Sequence, residues 1–313
     1  MKIGITGASG MLGTALIDKL DEQYVVFATA RSQGLKKNNV QWKCFDLIDF
    51  QELSNWLIGT QPDVVIHCAA IVDVDNCENN KSLATKLHIK TTIIIANYLD
   101  KKNGQLIYIS TDSVFDGDKK APYIEKDRVN PLNIYAKTKL LGEDSVLLMK
   151  NGLVLRTNII GWSRMEKTSF AEWMLRGLVE QQPLTLFNDV LFSPLHVSEL
   201  SLIIIKAIVR NLSGLYHISS TDSLSKYDFG IMMADVFSLP TDKIVSISVD
   251  DLEFKTKRPK NMALSNKKIT NILGSDLPST RDGINLMKEQ LENGWLAKIK
   301  GRSMRQGYHF WRL

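Results

Sequence analysis

A short glycine-rich loop near the start of the chain constrains the fold more than any other stretch. The apolar run Lys2–Thr6 predicts a buried strand, and three glycines spaced three apart follow it at once, before an apolar helical pattern begins. A strand, a glycine turn and a helix in this order favour a dinucleotide site, because the helix N-terminus offers free N–H groups to a pyrophosphate. The candidate contacts are Gly7, Ser9, Gly10, Met11, Leu12 and Gly13.

The next three predicted strands end in residues suited to the rest of a dinucleotide. No acid follows the second strand, where sites that prefer NAD carry one, and Arg31 and Ser32 stand there instead. A cation at this position favours a 2′-phosphate and therefore NADP(H) as the cofactor. Asp46, with Leu47 beside it, is expected at the adenine. The small residues Ala69 and Ala70 would let the cofactor lie close to the end of a further strand.

Strands and helices alternate through the first 150 residues, which predicts an α/β fold with a Rossmann-type, doubly wound parallel sheet. The pattern becomes more helical after Ser225, so we expect a smaller, mainly helical C-terminal lobe over the substrate. The predicted boundaries are 1–159 and 184–222 for the NADP-binding domain, 160–183 and 223–290 for the substrate lobe, and 291–313 for a basic, aromatic extension.

A tyrosine and a lysine four residues apart supply candidate chemistry. Tyr135 and Lys139 share one face of a predicted helix, and the expectation is that the ammonium lowers the pKa of the phenol. A phenol of this kind can act as a general acid toward a carbonyl. A hydroxyl at the end of the apolar strand that precedes them, that of Ser110 or Thr111, would hold the substrate oxygen. The tyrosine, the lysine and this hydroxyl are the predicted catalytic group.

The charge distribution argues against nucleic acid as a partner. The net charge of +5 equals the five basic residues of 295–313, so the rest of the chain is formally neutral. No apolar run has the length that crosses a membrane, so no membrane association is expected. The three cysteines lack ligand spacing and suggest reduced thiols, packed as small core residues, in a cytoplasmic protein. No metal is expected, since the acids Asp73, Asp75 and Glu78 suit a loop or a helix start.

The extension 291–313 leaves two alternatives open. It interleaves Trp295, Tyr308, Phe310 and Trp311 with basic residues. One interpretation docks these aromatic side chains on the body of the same chain. The other uses them in a homodimer.

Several stretches together make the chain similar to the extended short-chain dehydrogenases/reductases. These stretches are the glycine loop, the Ser110-Thr111 strand end and Tyr135-x-x-x-Lys139. STDSVFDG at 110–117, SPLHVSEL at 193–200, GLYHISS at 214–220 and RPKNMALSNKKI at 258–269 narrow the resemblance to dTDP-4-dehydrorhamnose reductases. The resemblance reaches to about residue 290.

The resemblance implies a reaction and a role for each site residue. NADPH would reduce the C4 keto group of a nucleotide-linked 4-keto-6-deoxy sugar, and Tyr135 would protonate the new alkoxide. Lys139 would hold the nicotinamide ribose. Thr111 and Asp112 would bind the keto sugar, and Asn158 and Arg258 would also contact the nucleotide-sugar substrate.

Three positions depart from the family pattern. Leu87-His88 stands where an asparagine is usual, Ile159 where rhamnose-forming members carry a tryptophan, and Val190 within a changed DQ-x-G-x-P motif. The change at Leu87-His88 bears on the proton-relay support from its helix. The changes at Ile159 and Val190 lie near the expected sugar pocket, so they leave the catalytic pair intact and bear on the identity of the sugar. The alternatives are another epimerase or reductase of the superfamily, and a non-catalytic NADP-binding subunit similar to the regulatory subunit of methionine adenosyltransferase.

Overall fold

Seven parallel strands form the central sheet of the protein. The structure is a computed structural model that describes residues 1–20, 22–164, 168–254 and 256–301. In chain order the strands are β1 Lys2–Thr6, β2 Val25–Ala30, β3 Val40–Cys44, β4 Val64–His67, β5 Gln105–Thr111, β6 Gly152–Thr157 and β7 Gly214–Ile218. Their spatial order is β7-β6-β5-β4-β1-β2-β3, and every neighbouring pair is parallel. This order reverses between β1 and β4 and confirms the predicted doubly wound α/β sheet.

Twelve α-helices are present in the described ranges, and several of them connect these strands. They are α1 Met11–Lys19, α2 Phe50–Thr60, α3 Val74–Asn79, α4 Lys81–Thr85, α5 Thr91–Asp100, α6 Ile134–Leu147, α7 Phe170–Val179, α8 Val197–Val209, α9 Lys226–Phe237, α10 Lys267–Leu273, α11 Thr280–Glu292 and α12 Trp295–Lys300. Helices α4 and α5 are joined by a π-helical turn at Lys86–Lys90. The π-turn widens the helix by one residue per turn, which no apolar period in the sequence announces.

Apolar side chains cover both faces of the sheet, as the continuous apolar strands require. On one face, α1 and α8 pack on β1 through residues such as Leu16, Ile17 and Ile204. On the other face, α2, α5 and α6 contribute Trp56, Leu99 and Val146. Both faces of the sheet are therefore covered by buried apolar side chains.

A separate apolar cluster lies in the C-terminal part of the chain. It joins α7, α9, α11 and α12 through Met174, Phe229, Met287 and Leu296, together with Trp162. The strand Leu184–Phe187, expected in the NADP-binding domain, pairs with Ile244–Ile247 and not with the seven-stranded sheet. Its alternate residues Leu184 and Leu186 are buried in this C-terminal cluster, which is the physical reason. The predicted domain boundaries themselves stay a prediction.

The last described helix docks on the body of the protein. The indole Nε1 of Trp295 donates to Asp18 Oδ2 at 3.2 Å, and Lys298 Nζ donates to Asp18 Oδ1 at 2.8 Å. Lys300 Nζ contacts Glu172 Oε1 at 3.2 Å. Trp295 therefore docks on the body of the same chain, as the first interpretation of the extension predicts. The predictions for Arg302, Arg305, Tyr308, Phe310, Trp311 and Arg312 lie outside the described residues.

The cysteines and the helix lengths complete the description. Cys44, Cys68 and Cys77 are free thiols. Cys77 alone among them is fully buried, while Cys68 is half-buried and Cys44 is exposed at the end of β3, where its side chain leaves the core. The expectation of small core residues therefore holds for Cys77 and is wrong for Cys44. Among the helices of the described ranges, none is long and apolar enough to cross a membrane.

Candidate active site

The predicted site residues follow strands that all end at one edge of the sheet. The glycine loop follows β1, Arg31 follows β2, Asp46 follows β3 and Ala69 follows β4. β5 ends at Thr111, which is paired in register with Thr157 of β6. Because the strands are parallel, their carboxyl ends open into a common crevice, the usual ligand site of such sheets.

The glycine loop has the geometry that a pyrophosphate requires. Gly7 has φ +64°, and a Cβ there would lie 2.7 Å from the backbone nitrogen of Ala69. A Cβ on Gly13 would lie 2.5 Å from the Cα of Ala8, so a side chain would push α1 away from the loop. Gly10 caps α1 without a side-chain hydrogen bond, which leaves the first N–H groups of the helix facing the crevice. These residues fit the phosphate group of a dinucleotide.

The adenosine end of the predicted site is open to a ligand. Arg31 and Ser32 are exposed directly after β2, and Gly34 brings this segment against Ser9 of the glycine loop. Asp46 is exposed, and its Oδ1 accepts a hydrogen bond from Ile48 N at 3.2 Å. Leu47 beside it is buried. The nearby Lys37 instead donates to the carbonyls that end α1, including Leu20 O, so its amine is already engaged.

The end of β5 separates two neighbouring hydroxyls onto opposite faces of the sheet, as the strand period demands. Ser110 donates to Glu143 Oε1. The Glu143 carboxylate also forms a bidentate ion pair with Arg156 on β6, in which Arg156 Nη2 donates to Glu143 Oε2 at 2.7 Å. Thr111 is on the other face, where its Oγ1 donates to Asp112 Oδ1 at 3.1 Å. Thr111 is therefore the hydroxyl that faces the crevice beside Tyr135.

Helix α6 carries both residues of the predicted catalytic pair. Asn133 caps it by accepting from Ala136 N at 2.9 Å. Glu78 of α3 accepts from Ile134 N at 2.8 Å and fixes the same end. Tyr135 is half-buried in the first turn of α6, and Lys139 is 2% exposed one turn further on. The predicted helix and the shared face are present.

The proton affinities of the pair correct the sequence prediction. Burial raises the pKa of Tyr135 to about 12, against a smaller lowering by the Thr111 hydroxyl. Burial lowers the pKa of Lys139 to about 7. The amine donates to Ile109 O at 2.5 Å and lies 3.9 Å from the centroid of the Tyr108 ring. The pKa of Tyr135 is therefore raised and not lowered as expected, because burial disfavours the charged phenolate.

His88 is built into the π-turn beside this pair. Its Nε2 accepts from Ile71 N at 2.9 Å, so the neutral ring carries its proton on Nδ1, which lies 2.8 Å from Thr138 Oγ1. Burial, and then the charge of Lys139, lower the pKa of His88 to about 3. The ring meets Tyr135 edge-on with centroids 6.0 Å apart. His88 thus connects the chain after β4 to the catalytic helix at the position where the family pattern has asparagine.

The predicted substrate residues do not all come together. Asp112 is buried, and its Oδ2 accepts from Asn158 Nδ2 at 2.7 Å. Burial raises the pKa of Asp112, although its hydrogen bonds favour the charged form. Arg258 lies instead over the ring of Phe254 and reaches Asp75 at 3.7 Å, with 46% of its side chain exposed. Its role in substrate binding stays a prediction.

The acidic run after β4 has structural partners. Asp73 caps α3 by accepting from Asn76 N at 3.0 Å, as expected for a helix start. Asp75 accepts from Thr256 Oγ1 at 2.9 Å, and Glu78 holds the start of α6.

Three further charged side chains near the end of β5 are not among the predicted site residues. Glu143 and Arg156 form the buried ion pair behind Ser110, and the i,i+4 spacing of Lys139 and Glu143 on α6 was the available signal. Lys226, the first residue of α9, lies on the ring of Phe192 and is attracted electrostatically by Asp112. Nothing local to Lys226 distinguishes it from a solvent-exposed lysine.

Comparison with known proteins agrees with this geometry. The family model described as RmlD substrate binding domain matches residues 1–293. The probable low-salt glycan biosynthesis reductase Agl14 of Haloferax volcanii is 27% identical over 289 residues, which cover 90% of this chain and 95% of that protein. Methionine adenosyltransferase 2 subunit beta of Xenopus laevis is 30% identical over 284 residues, covering 85% and 80% of the two chains.

A solved structure of similar shape comes from Bacillus anthracis. It is a dTDP-4-dehydrorhamnose reductase in complex with NADP, with a TM-score of 0.80 and 26% sequence identity. The superposition covers 92% of this chain and 99% of that chain.

Proposed function

We propose that this chain, which belongs to the RmlD substrate binding domain family, is an oxidoreductase that reduces a nucleotide-activated sugar. The more specific proposal is an NADPH-dependent reduction of the C4 keto group of a 4-keto-6-deoxy sugar. The cofactor is a nicotinamide dinucleotide, and Arg31 after β2 favours the 2′-phosphate of NADP(H). The reductase from Haloferax volcanii and the NADP complex from Bacillus anthracis support this proposal.

One observation carries the proposal: a proton donor and a phosphate-binding helix end share one crevice. Tyr135 stands beside Thr111 at the end of β5, two strands along the sheet from the open N-terminus of α1. A redox enzyme acting on a carbonyl needs both elements within the length of one dinucleotide. The other polar residues of the crevice then surround the substrate.

Each site residue has a separate role in the proposed reaction. NADPH, when bound, supplies the hydride. The Thr111 hydroxyl exchanges its hydrogen bond to Asp112 for one to the carbonyl oxygen and orients that oxygen toward Tyr135. Tyr135 gives up its phenolic proton to that oxygen as negative charge develops there. The carbonyl carbon gains the hydride and the oxygen gains the proton, which yields an alcohol. The raised pKa of Tyr135 keeps the phenol protonated at neutral pH, as an acid requires.

Substitution of Tyr135 by Phe tests the reaction type. We expect Tyr135→Phe to keep NADPH affinity nearly intact and to lower turnover by a factor of about 100 or more, since proton transfer is lost. NADPH oxidation is followed with a panel of 4-keto nucleotide sugars, and NADPH binding is measured by fluorescence. Tyr98→Phe is the matched control, because the Tyr98 hydroxyl is buried without a hydrogen-bond partner in the described structure. Full turnover by Tyr135→Phe would rule out the proposed acid.

A second function is a regulatory subunit that binds NADP without catalysis. The relative from Xenopus laevis, methionine adenosyltransferase 2 subunit beta, motivates this alternative. The same substrate panel distinguishes the two proposals. Bound NADPH that no keto sugar oxidises would favour the regulatory subunit, whereas turnover of any member of the panel would exclude it.

The location and assembly are further proposals from the sequence. We propose a cytoplasmic protein that acts on a small nucleotide sugar. A homodimer is one of the proposed assemblies, and the mass of the protein in solution tests it.

A further inference from the structure

A short strand pair and a helix cap fix the position of Lys226. The short strand Leu224–Ser225 pairs antiparallel with Leu191–Phe192, and Ser225 caps α9 by accepting from Asp228 N at 2.9 Å. These contacts fix the backbone of Lys226 at the first turn of the helix. Its Nζ lies 3.0 Å from the centroid of the Phe192 ring and 4.6 Å from that of Phe170. The amine of this half-buried side chain is therefore stacked on aromatic faces.

The amine of Lys226 has a charge partner but no strong hydrogen bond in the described structure. Asp112 attracts it electrostatically, yet the Asp112 oxygens already accept from Thr111, Ser113 and Asn158. Burial lowers the pKa of Lys226 to about 7. Placing an amine at such a site costs free energy that the aromatic contacts only partly offset, which is typical of functional positions.

The position of Asp112 locates Lys226 relative to the reacting atoms. Asp112 follows Thr111 directly, and Thr111 adjoins the phenol of Tyr135. Ser113, the residue after Asp112, donates through Oγ to Met262 Sδ at 3.7 Å, and Met262 N donates to Leu191 O at 2.9 Å. Leu191 belongs to the strand that carries Phe192, on whose ring the Lys226 amine lies, so Lys226 and Asp112 approach the proposed carbonyl position from neighbouring segments.

The chemistry of the two groups indicates an uncharged partner. A carboxylate that accepts and an amine that donates together suit a hydroxyl, which does both. Their opposite charges largely cancel, so the pair offers little attraction to a diphosphate. Phe170 and Phe192 supply the apolar surface on which the C–H face of a sugar ring packs.

We propose that Lys226, together with Asp112, binds the sugar hydroxyl on the carbon next to the reduced keto group and so makes the enzyme specific for 3-hydroxy substrates. This inference rests on the proposed function and names the part of the substrate that the site selects. Lys226 is a substrate-binding residue in this role, distinct from the proton donor Tyr135.

The test compares a 4-keto-6-deoxy nucleotide sugar with its 3-deoxy analogue. We expect the wild-type protein to prefer the hydroxylated substrate in kcat/KM by about 100-fold or more, because the analogue leaves buried polar groups unpaired. Lys226→Met should lower kcat/KM for the hydroxylated substrate by about 10- to 100-fold and change that for the analogue about 2-fold or less. Lys226→Arg should recover part of the preference, since it restores a cationic donor.

Controls separate this role from folding. Methionine packs well on aromatic rings, so Lys226→Met should keep the melting temperature and the NADPH affinity. Lys243→Met, which changes an exposed lysine in the same part of the chain, should leave both substrates unaffected.

Two outcomes would overturn the proposal, and they differ in what else they affect. Equal losses on both substrates, or weaker binding of dTDP and UDP by Lys226→Met, would assign Lys226 to another part of the ligand and leave the reductase proposal intact. No NADPH oxidation by the wild-type protein with any 4-keto nucleotide sugar would overturn the reductase proposal and this inference together.

Discussion

Burial sets the proton affinities of the individual residues at the crevice. It raises the pKa of Tyr135 and lowers that of Lys139, so neither residue behaves as the exposed pair would. The spacing of the two residues on α6 was predictable from the sequence. Their pKa values were not, because desolvation depends on the strands and helices that enclose them.

The buried amine of Lys139 predicts a distinct pH dependence of stability. Its pKa is about 7 in the folded protein and 10.5 when unperturbed, so the unfolded chain binds more protons between these values. The wild-type protein should therefore gain stability with rising pH in this window, relative to Lys139→Met, by about 1 kcal/mol per pH unit. Urea unfolding of both proteins between about pH 7.5 and 9.5 measures the difference. A difference that does not change with pH would contradict the lowered pKa.

The proposed preference for NADPH over NADH depends on Arg31. We expect Arg31→Ala to weaken NADPH binding by about 10- to 100-fold, since a charge-assisted hydrogen bond to the 2′-phosphate is lost. NADH binding should change little, because NADH lacks this phosphate. Titrations with both cofactors measure the effect, and Lys36→Ala, an exposed lysine on the same segment, is the control. Equal losses for NADPH and NADH would remove the 2′-phosphate assignment.

At the scale of elements, the turn between β1 and α1 was the most predictable part of the protein. Its shape depends on backbone conformation, which glycine encodes locally: Gly7 has φ +64°, and a Cβ there would meet the backbone of Ala69. The π-turn at Lys86–Lys90 was not predictable in this way. It is stabilised by distant contacts of His88 with Ile71 and Thr138, which no local pattern records.

Substitution of Gly7 tests this view of the loop. Gly7→Ala should destabilise the protein by roughly 1–3 kcal/mol, because the new Cβ forces strain at positive φ and meets the backbone of Ala69. NADPH affinity should also fall about 10-fold or more as the loop moves away from the pyrophosphate. Calorimetry and cofactor titration check the two effects.

Gly59 in α2 supplies the matched control for Gly7. A Cβ there would meet nothing within 4 Å, so Gly59→Ala should stabilise by about 0.5–1 kcal/mol through helix propensity. Unchanged stability and affinity in Gly7→Ala would mean that the loop tolerates a side chain.

At the scale of the whole molecule, α12 joins the C-terminal apolar cluster to the sheet domain. Leu296 and Ile299 are buried in that cluster, while Trp295 and Lys298 bind Asp18 on α1. The helix therefore ties together parts of the chain that are 277 residues apart. Its sequence is basic and aromatic, and only the tertiary contacts show where it docks.

Truncation measures the contribution of this helix. Deletion of 295–313 should lower the melting temperature by about 5 °C or more, because two buried aliphatic side chains and their contacts are lost. Deletion of 302–313 keeps α12 and is the control for removal of the remaining residues. Equal melting temperatures for the two deletions would contradict a stabilising role for α12. The masses of both variants also test the homodimer.

The sequence by itself determined the glycine turn after β1, the parallel sheet and the shared helix face of Tyr135 and Lys139. Each of these depends on local rules: backbone freedom at glycine, apolar runs for buried strands and the helical period. Tertiary structure alone decided the raised pKa of Tyr135, the contacts of His88 and the position of Lys226 on the Phe192 ring. These features arise where distant segments exclude water from one another, and the cost of desolvation is a property of the assembled crevice.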